Sequence, residues 1–428
     1  SRRKETESMR PQEFSQLRYG MFIHYGLYSQ LGRGEWVMNR EKLSRQEMLN
    51  LAQQFQPSRF DAEQLCQLAV EGGMKYLVFT TMHHEGFRLY QSSLSDFNSW
   101  HYCRRDLVRE VVAGARKHGL RIGLYHSLNN WFDRPDAVDA LEDPEAYRCF
   151  IKHCFARLRE LLQQFSPIDI MWYDGWWPFN AEQWQAERMN QELRNIQSNL
   201  LFNGRNGLDG DFRTPEQHLG APSPWAPWEA CITLNQHWGY HAHDQEWKSP
   251  QEVIRMLLTC AQGQGNLLLN VGPDASGSVP EASQKIIRQV GDWLKRGGEE
   301  MMQDLEKMSF SHGPRQPGEH GDWDHAGSFY RKDKKMYWPL FHFPGQKATL
   351  SGLEMQVEQV SCGKFGSLEF SQQDDIIQVS LPEEMSSQLC PVLVFGCQQK
   401  PSIYRCGGMR QPKLQHPRYD PVEPDIKY

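Results

Sequence analysis

The chain has 428 residues, 39% of them hydrophobic and 23% charged, and carries a net charge of −6. That composition supplies a large buried core and excludes global disorder, while the acidic balance gives no basic face for a nucleic-acid partner. The length points to two domains, or to one large barrel with an appendage. The 14 Trp are a rich supply, of the kind sugar-handling proteins and thick cores share. Ten Cys are scattered without paired C-x-x-C sets, which argues against a structural zinc site. Cys149 and Cys154 fall on one predicted helix, where a disulfide between them is awkward. Read as reduced thiols, the cysteines favour a cytoplasmic location. A periplasmic or secreted protein is the alternative if a leader preceded Ser1. There is no N-terminal apolar stretch and no apolar run of about 18 residues, so neither signal peptide nor membrane partner is expected.

From Gly20 onward, short apolar runs alternate with helical patterns, which predicts βα units. Residues 1–16 read as a polar lead-in. Strands are expected at 21–25, 75–81, 121–125, 168–173, 199–203, 231–235 and 266–271. Helices are expected between them. Asp61 caps one, Asp106 starts another, 147–165 is amphipathic, and Ser249-Pro250-Gln251-Glu252 is a capping box with Pro at the first helical position. A last helix follows at 281–296. Seven or eight strands over about 300 residues predict an α/β fold with a (β/α)8-like barrel. No G-x-G-x-x-G follows a strand, which argues against a dinucleotide fold. Past Ser309 helical periodicity stops. Short runs at 328–330, 335–342, 348–350, 367–370, 376–381 and 391–395 predict a C-terminal antiparallel β-sandwich. We therefore expect a catalytic barrel over 1–308 and a sandwich with a Pro-rich tail over 309–428.

The densest chemistry lies in Ile170-Met171-Trp172-Tyr173-Asp174-Gly175-Trp176-Trp177, an apolar strand that ends in a carboxylate among aromatic rings. Polar and aromatic residues also gather past other predicted strand ends: His24, His83, His84, Tyr125, His126, Arg205, Glu216 and Glu229. In a barrel those ends converge on one mouth. Histidine, arginine and carboxylate suit the hydroxyls of a polyol, and tryptophan suits its apolar face. Glycoside cleavage needs two carboxyl groups, one ionised and one protonated. Asp174 is the candidate nucleophile. Glu216 and Glu229, each expected on a loop, are the candidates for the acid.

Seven segments together resemble the α-L-fucosidases of glycoside hydrolase family 29. They are FIHYGLYSQLGRGEW (22–36), TTMHHEGFRLYQS (80–92), RDLVREVVAGARKHGLRIGLYHS (105–127), IMWYDG (170–175), TPEQ (214–217), WEACITLNQHWGY (228–240) and GNLLLNVGPDASGSV (265–279). The resemblance implies a barrel followed by a β-sandwich, and retaining hydrolysis of terminal α-L-fucose from glycans or oligosaccharides, with no metal and no cofactor. It implies double displacement through a covalent fucosyl-enzyme, with transfer of fucose to another acceptor as an allowed side reaction. Carried over, Asp174 matches the nucleophile and Glu216 the acid/base, with Glu229 as runner-up. Trp172 matches a pocket wall. His24, Glu35, Trp36, His83 and His84 match binders of fucose hydroxyls, and Arg205 a pocket arginine. His126 falls where relatives often have Tyr. Phe22 and Tyr240 are assigned to the C6 methyl. HHEG replaces the usual HHDG. A homo-oligomer is allowed and nothing requires it. The sequence offers two rivals: a metal hydrolase supported by His83-His84 and His241-Ala242-His243-Asp244, and a fucose-binding lectin on an inactive barrel.

Overall fold

A computed structural model describes residues 9–303, 305–308 and 329–403. Most of the polar lead-in, Ser328 and the Pro-rich tail lie outside the described residues. Contacts divide the chain into one unit ending at Gly291 and a second starting at Asp292.

In the first unit, seven strands form one parallel sheet: β1 (Tyr19–Ile23), β2 (Tyr76–Met82), β3 (Arg121–Ser127), β4 (Ile170–Asp174), β5 (Leu201–Phe202), β6 (Glu229–Thr233) and β7 (Asn266–Val271). Their order is β5-β4-β3-β2-β1-β7-β6. Parallel strands buried on both faces read as continuous apolar runs, as YLVFTTM and NLLLNV do here. Between the edge strands β5 and β6, the segment 212–217 makes isolated parallel bridges: Asn203 to Phe212, Arg213 to Trp228 and Glu216 to Cys231. The sheet interior is filled by Phe14, Phe22, Tyr76, Tyr125, Trp172 and Phe212, with their neighbours. Each such side chain fully removed from water contributes about 1.5–3 kcal/mol.

The helices start where local chemistry allows. Asp61 accepts from the Gln64 amide, Asp106 from Arg109 N, and Ser249 and Glu252 form a reciprocal box on Pro250–Gln262. The helix expected at Tyr147 begins earlier, at Pro144, because Asp143 caps it through Ala146 N. Two strand boundaries differ from expectation in ways that matter. The strand expected over 199–203 has only two residues, Leu201 and Phe202. The strand expected at 231–235 begins two residues earlier, at Glu229. The backbone of 213–215 pairs with Pro227, Glu229 and Cys231, so the ladder extends back to include an acid that sequence reading put on a loop.

The second unit holds two antiparallel sheets. Six strands, β8 (Glu306–Lys307), β9 (Tyr330–Lys332), β10 (Lys335–Pro339), β12 (Val357–Cys362), β13 (Gly366–Ser367) and β16 (Val392–Cys397), make one. Three strands, β11 (Lys347–Leu350), β14 (Phe370–Gln373) and β15 (Ile376–Ser380), make the other. Trp338, Val360, Leu393 and Phe395 from the first share a core with Ala348, Leu350, Ile377 and Val379 from the second. Among the described residues, no helix is long and apolar enough to cross a membrane.

Candidate active site

Side chains alternate along a strand, so every second residue of a strand points into the sheet's concave face. At the carboxyl ends this brings Phe22 from β1 and His24 just past it, Tyr125 from β3, and Trp172 and Asp174 from β4 to one cavity of about 180 Å³. Loops after the strands add Glu35, Trp36, His83, His84, Trp176, Trp177, Arg205, Glu216 and Trp238, and β6 adds Cys231. Gly175 makes the turn after the strand. Its φ of +67° lies in the left-handed region, and a Cβ there would stand 2.8 Å from Ser127 Oγ and 3.0 Å from the His84 ring.

Asp174 is held from three sides. Tyr125 Oη donates to Oδ2 at 2.6 Å, Arg205 Nη1 donates to Oδ1 at 3.0 Å, and His84 Nε2 lies 3.6 Å from Oδ2. Burial pushes this carboxyl up, but the Arg205 cation and the Tyr125 hydroxyl outweigh it and hold the pKa below the ordinary aspartate value. Arg205 also reaches Glu216 Oε2 through Nη2, at 2.9 Å. One planar guanidinium thus joins two carboxylates. It is fixed by Thr214 Oγ1 at 2.8 Å and lies 4.6 Å from the Trp172 ring centroid. Cys231 Sγ stands 3.6 Å from Nη2, with burial pushing its thiol well up.

Two histidines have their tautomers set by neighbours. Ser127 Oγ gives its only proton to the Asn129 carbonyl at 2.6 Å, so His84 Nδ1, 2.6 Å away, must be the donor. Asn270 Nδ2 donates to the Trp238 carbonyl at 2.8 Å, so its Oδ1 accepts from His24 Nδ1 at 2.7 Å. Burial lowers the pKa of both rings to about 4, so both are neutral at ordinary pH with Nε2 free to accept. His83 is buried and stacked at 5.5 Å on Tyr125, with its pKa pushed well below the usual value by burial and by the other two histidines. Glu35 Oε2 accepts from Gly239 N at 2.9 Å, and burial raises its pKa.

Three predicted site residues do not line the cavity. His126 alternates away from Tyr125 and is buried against the helix Pro144–Phe165, with Thr81 Oγ1 at 2.9 Å and Arg157 Nε at 3.3 Å. Tyr240 packs on Gly32, and Trp238 takes the place beside Phe22, 5.8 Å between rings. Glu229 sits at the amino end of β6, away from the mouth and fully buried, accepting from Tyr76 Oη at 2.6 Å and Trp172 Nε1 at 2.8 Å. Tyr125, Trp176, Trp177 and Trp238, noted in the sequence without an assigned sugar contact, also line the cavity, and Cys231 joins them. Strict alternation back from Ser127 is the signal that finds Tyr125. Nothing local in the sequence singles out Trp238 over Tyr240.

Donor atoms of His83, His84 and Asp174 lie within 4.8 Å of one another. This set fits a dication poorly, because Asp174 already carries the Arg205 cation on one oxygen and the Tyr125 hydroxyl on the other. In the other histidine cluster, His237 Nδ1 pairs with Asp244 at 2.7 Å and His241 stacks on His237.

A cavity that pairs carboxylates across an arginine, walled by histidine and tryptophan at strand carboxyl ends, is the equipment of a glycosidase. The family model for alpha-L-fucosidase matches residues 2–299. An alpha-L-fucosidase of Dictyostelium discoideum is 26% identical over 68% of this chain and 70% of its own length. Tissue alpha-L-fucosidase of Homo sapiens is 28% identical over 68% of each. Among solved structures, alpha-L-fucosidase isoenzyme 1 from Paenibacillus thiaminolyticus superposes with a TM-score of 0.77 at 30% identity, covering 91% of this chain and 100% of that one. A glycoside hydrolase family 29 alpha-L-fucosidase from Bacteroides thetaiotaomicron gives 0.75 at 25% identity, covering 92% and 98%. That enzyme was trapped as a covalent intermediate with 2-fluoro-fucosyl fluoride in a glutamate-to-glutamine mutant. The chain belongs to the alpha-L-fucosidase family, glycoside hydrolase family 29.

Proposed function

We propose that this protein is a retaining exo-α-L-fucosidase that removes terminal α-L-fucose from a fucosylated glycan or oligosaccharide. The observation that carries the reading is the single guanidinium of Arg205 between Asp174 and Glu216, at 3.0 and 2.9 Å. Asp174, kept ionised by the Arg205 cation and the Tyr125 hydroxyl, attacks the anomeric carbon. Glu216, protonated, gives its proton to the leaving oxygen. A fucosyl ester of Asp174 forms and the aglycone leaves. Water, deprotonated by the same Glu216, then displaces Asp174, and fucose departs with its α configuration kept. The covalent intermediate trapped in the Bacteroides relative supports this order of events.

The neutral His24 and His84 accept from sugar hydroxyls through Nε2, and Glu35 and Trp36 contact the ring on the same wall. Phe22 and Trp238 form the apolar corner for the C6 methyl. The bridged segment 212–217 serves as the eighth stave of the barrel and carries Glu216 to the mouth. On this reading the catalytic domain is the barrel.

The test is turnover of aryl α-L-fucosides and of α-1,2-, 1,3-, 1,4- and 1,6-linked fucosyl oligosaccharides by wild type and Asp174→Asn. Release of β-L-fucose as the first-formed anomer, read by NMR, would sink the retaining mechanism. The second reading is a metal hydrolase on His83, His84 and Asp174, whose donor atoms are close enough together although Arg205 and Tyr125 already occupy the Asp174 oxygens. Full activity after treatment with a strong chelator removes it, and loss restored by a divalent ion would establish it.

A further inference from the structure

The cavity of about 180 Å³ is small beside the ~300–1,000 Å³ of sites for drug-sized ligands. It has room for one deoxyhexose ring, so whatever fucose is joined to must stand at the mouth. The acid marks the side on which it stands. Glu216, 43% exposed, is held there by Arg205. Two tryptophans lie against that same guanidinium. Trp172, 4.6 Å away, is 1% exposed and belongs to the fucose wall. Trp176, 5.5 Å away, lines the cavity yet is only partly covered. Its backbone is fixed: the Trp176 carbonyl accepts from Trp184 Nε1 and, at 3.1 Å, from Phe179 N, and the neighbouring Trp177 carbonyl accepts from Asn129 Nδ2 at 3.2 Å. A ring on a fixed backbone, against the guanidinium that also holds the acid and with apolar surface left in water, is prepared for a flat apolar partner.

We propose that Trp176 is the platform on which the sugar that leaves from fucose lays its apolar face. The proposal rests on the roles given above to Asp174 and Glu216. It also gives the transfer of fucose to another acceptor, which the family resemblance implies, a place on the protein. A hexose bound on Trp176 after the first step is placed to act as acceptor. Its hydroxyl displaces Asp174 from the anomeric carbon and passes its proton to Glu216, giving a new fucoside in place of free fucose.

The experiment compares α-L-fucosyl fluoride, which has no leaving sugar, with a fucosylated hexose disaccharide, on wild type, Trp176→Ala and Trp176→Phe. In Trp176→Ala the ratio of kcat/KM, disaccharide over fluoride, falls roughly fivefold to tenfold, and Trp176→Phe restores part of it. With fluoride as donor and free hexose as acceptor, the share of fucose transferred to hexose rather than water falls by a similar factor. That share is a ratio within molecules that have turned over, so a poorly folded fraction does not affect it. A disaccharide-to-fluoride ratio within twofold of wild type overturns the proposal, as does an unchanged transfer share. A wild type that fails to turn over the fluoride at all would sink the fucosidase reading, and the platform with it.

Discussion

The two candidate acids make opposite predictions when truncated. Glu229 has no exposure and accepts from Tyr76 Oη and Trp172 Nε1 at 2.6 and 2.8 Å. Glu229→Ala leaves two buried donors unpaired, at ~1–3 kcal/mol each, or about 2–6 kcal/mol together. The lower part of that range applies, because burial already works against this carboxyl and pushes its pKa up to about 7. At ~2–4 °C per kcal/mol, the melting midpoint drops by several degrees. Glu216 is 43% exposed and holds one ion pair, so Glu216→Ala costs about 0–1 kcal/mol and hardly moves the midpoint. Activity runs the other way. Losing the acid/base lowers kcat on a natural fucoside by ~10²–10⁴. Azide, which needs no deprotonation, restores turnover and yields α-fucosyl azide, because it attacks the covalent intermediate from the face the leaving group vacated. Scanning calorimetry and azide-dependent kinetics on both variants decide the matter. Azide rescue of Glu229→Ala but not Glu216→Ala, or a larger loss of midpoint in Glu216→Ala, would refute the reasoning.

Other expectations follow from the same geometry. Asp174→Asn removes the attacking carboxylate and lowers kcat by ~10⁴-fold or more, while circular dichroism stays that of wild type. His24 and His84, with pKa values of about 4, must be neutral to accept from sugar hydroxyls. The acid limb of kcat/KM therefore falls near pH 4 and not near 6.5, where an ordinary imidazole would put it. Glu85 accepts from Leu27 N at 2.8 Å and Tyr28 N at 3.1 Å, and burial raises its pKa from 4.5 to about 8. A raised carboxyl binds protons more tightly in the folded state, so its contribution to stability is lost as pH rises from about 4.5 through about 8. Glu85→Gln does not titrate, so its deficit against wild type shrinks over that window in urea unfolding. A deficit that grows with pH would contradict this.

The sequence made the sheet legible because parallel strands must be apolar on both faces, and KYLVFTT, RIGLY and NLLLNV leave no other reading. In the second unit the alternation of Lys347–Leu350 and Ile376–Ser380, exposed and buried by turns, is the mark of sheets wet on one side. The site was legible where a side chain sits in a motif at or just past a strand end, as with Asp174, His24 and Arg205. It failed where one residue of register decides the face. His126 and Tyr125 are neighbours, both polar-capable, and only the pairing of β3 with β4 turns Tyr125 inward. Glu229 was misread for a related reason. Its strand begins at a residue whose backbone pairs with a loop, and such pairing leaves no hydrophobic pattern. Trp238 against Tyr240 is set by a distant contact, the Asn270 amide on the Trp238 carbonyl.

Arg205 also has a consequence for electroneutrality. On the proposed roles, the Michaelis complex holds Asp174 as an anion, Glu216 as a neutral acid and the guanidinium as a cation, a sum of zero. Once the ester forms, Asp174 is neutral and Glu216 is the anion, and the sum is again zero. The negative charge has moved from one end of the guanidinium to the other. A shared counterion, 10% exposed and touching both acids, allows a low-dielectric cavity to run both half-reactions without drawing in or expelling an ion from solvent.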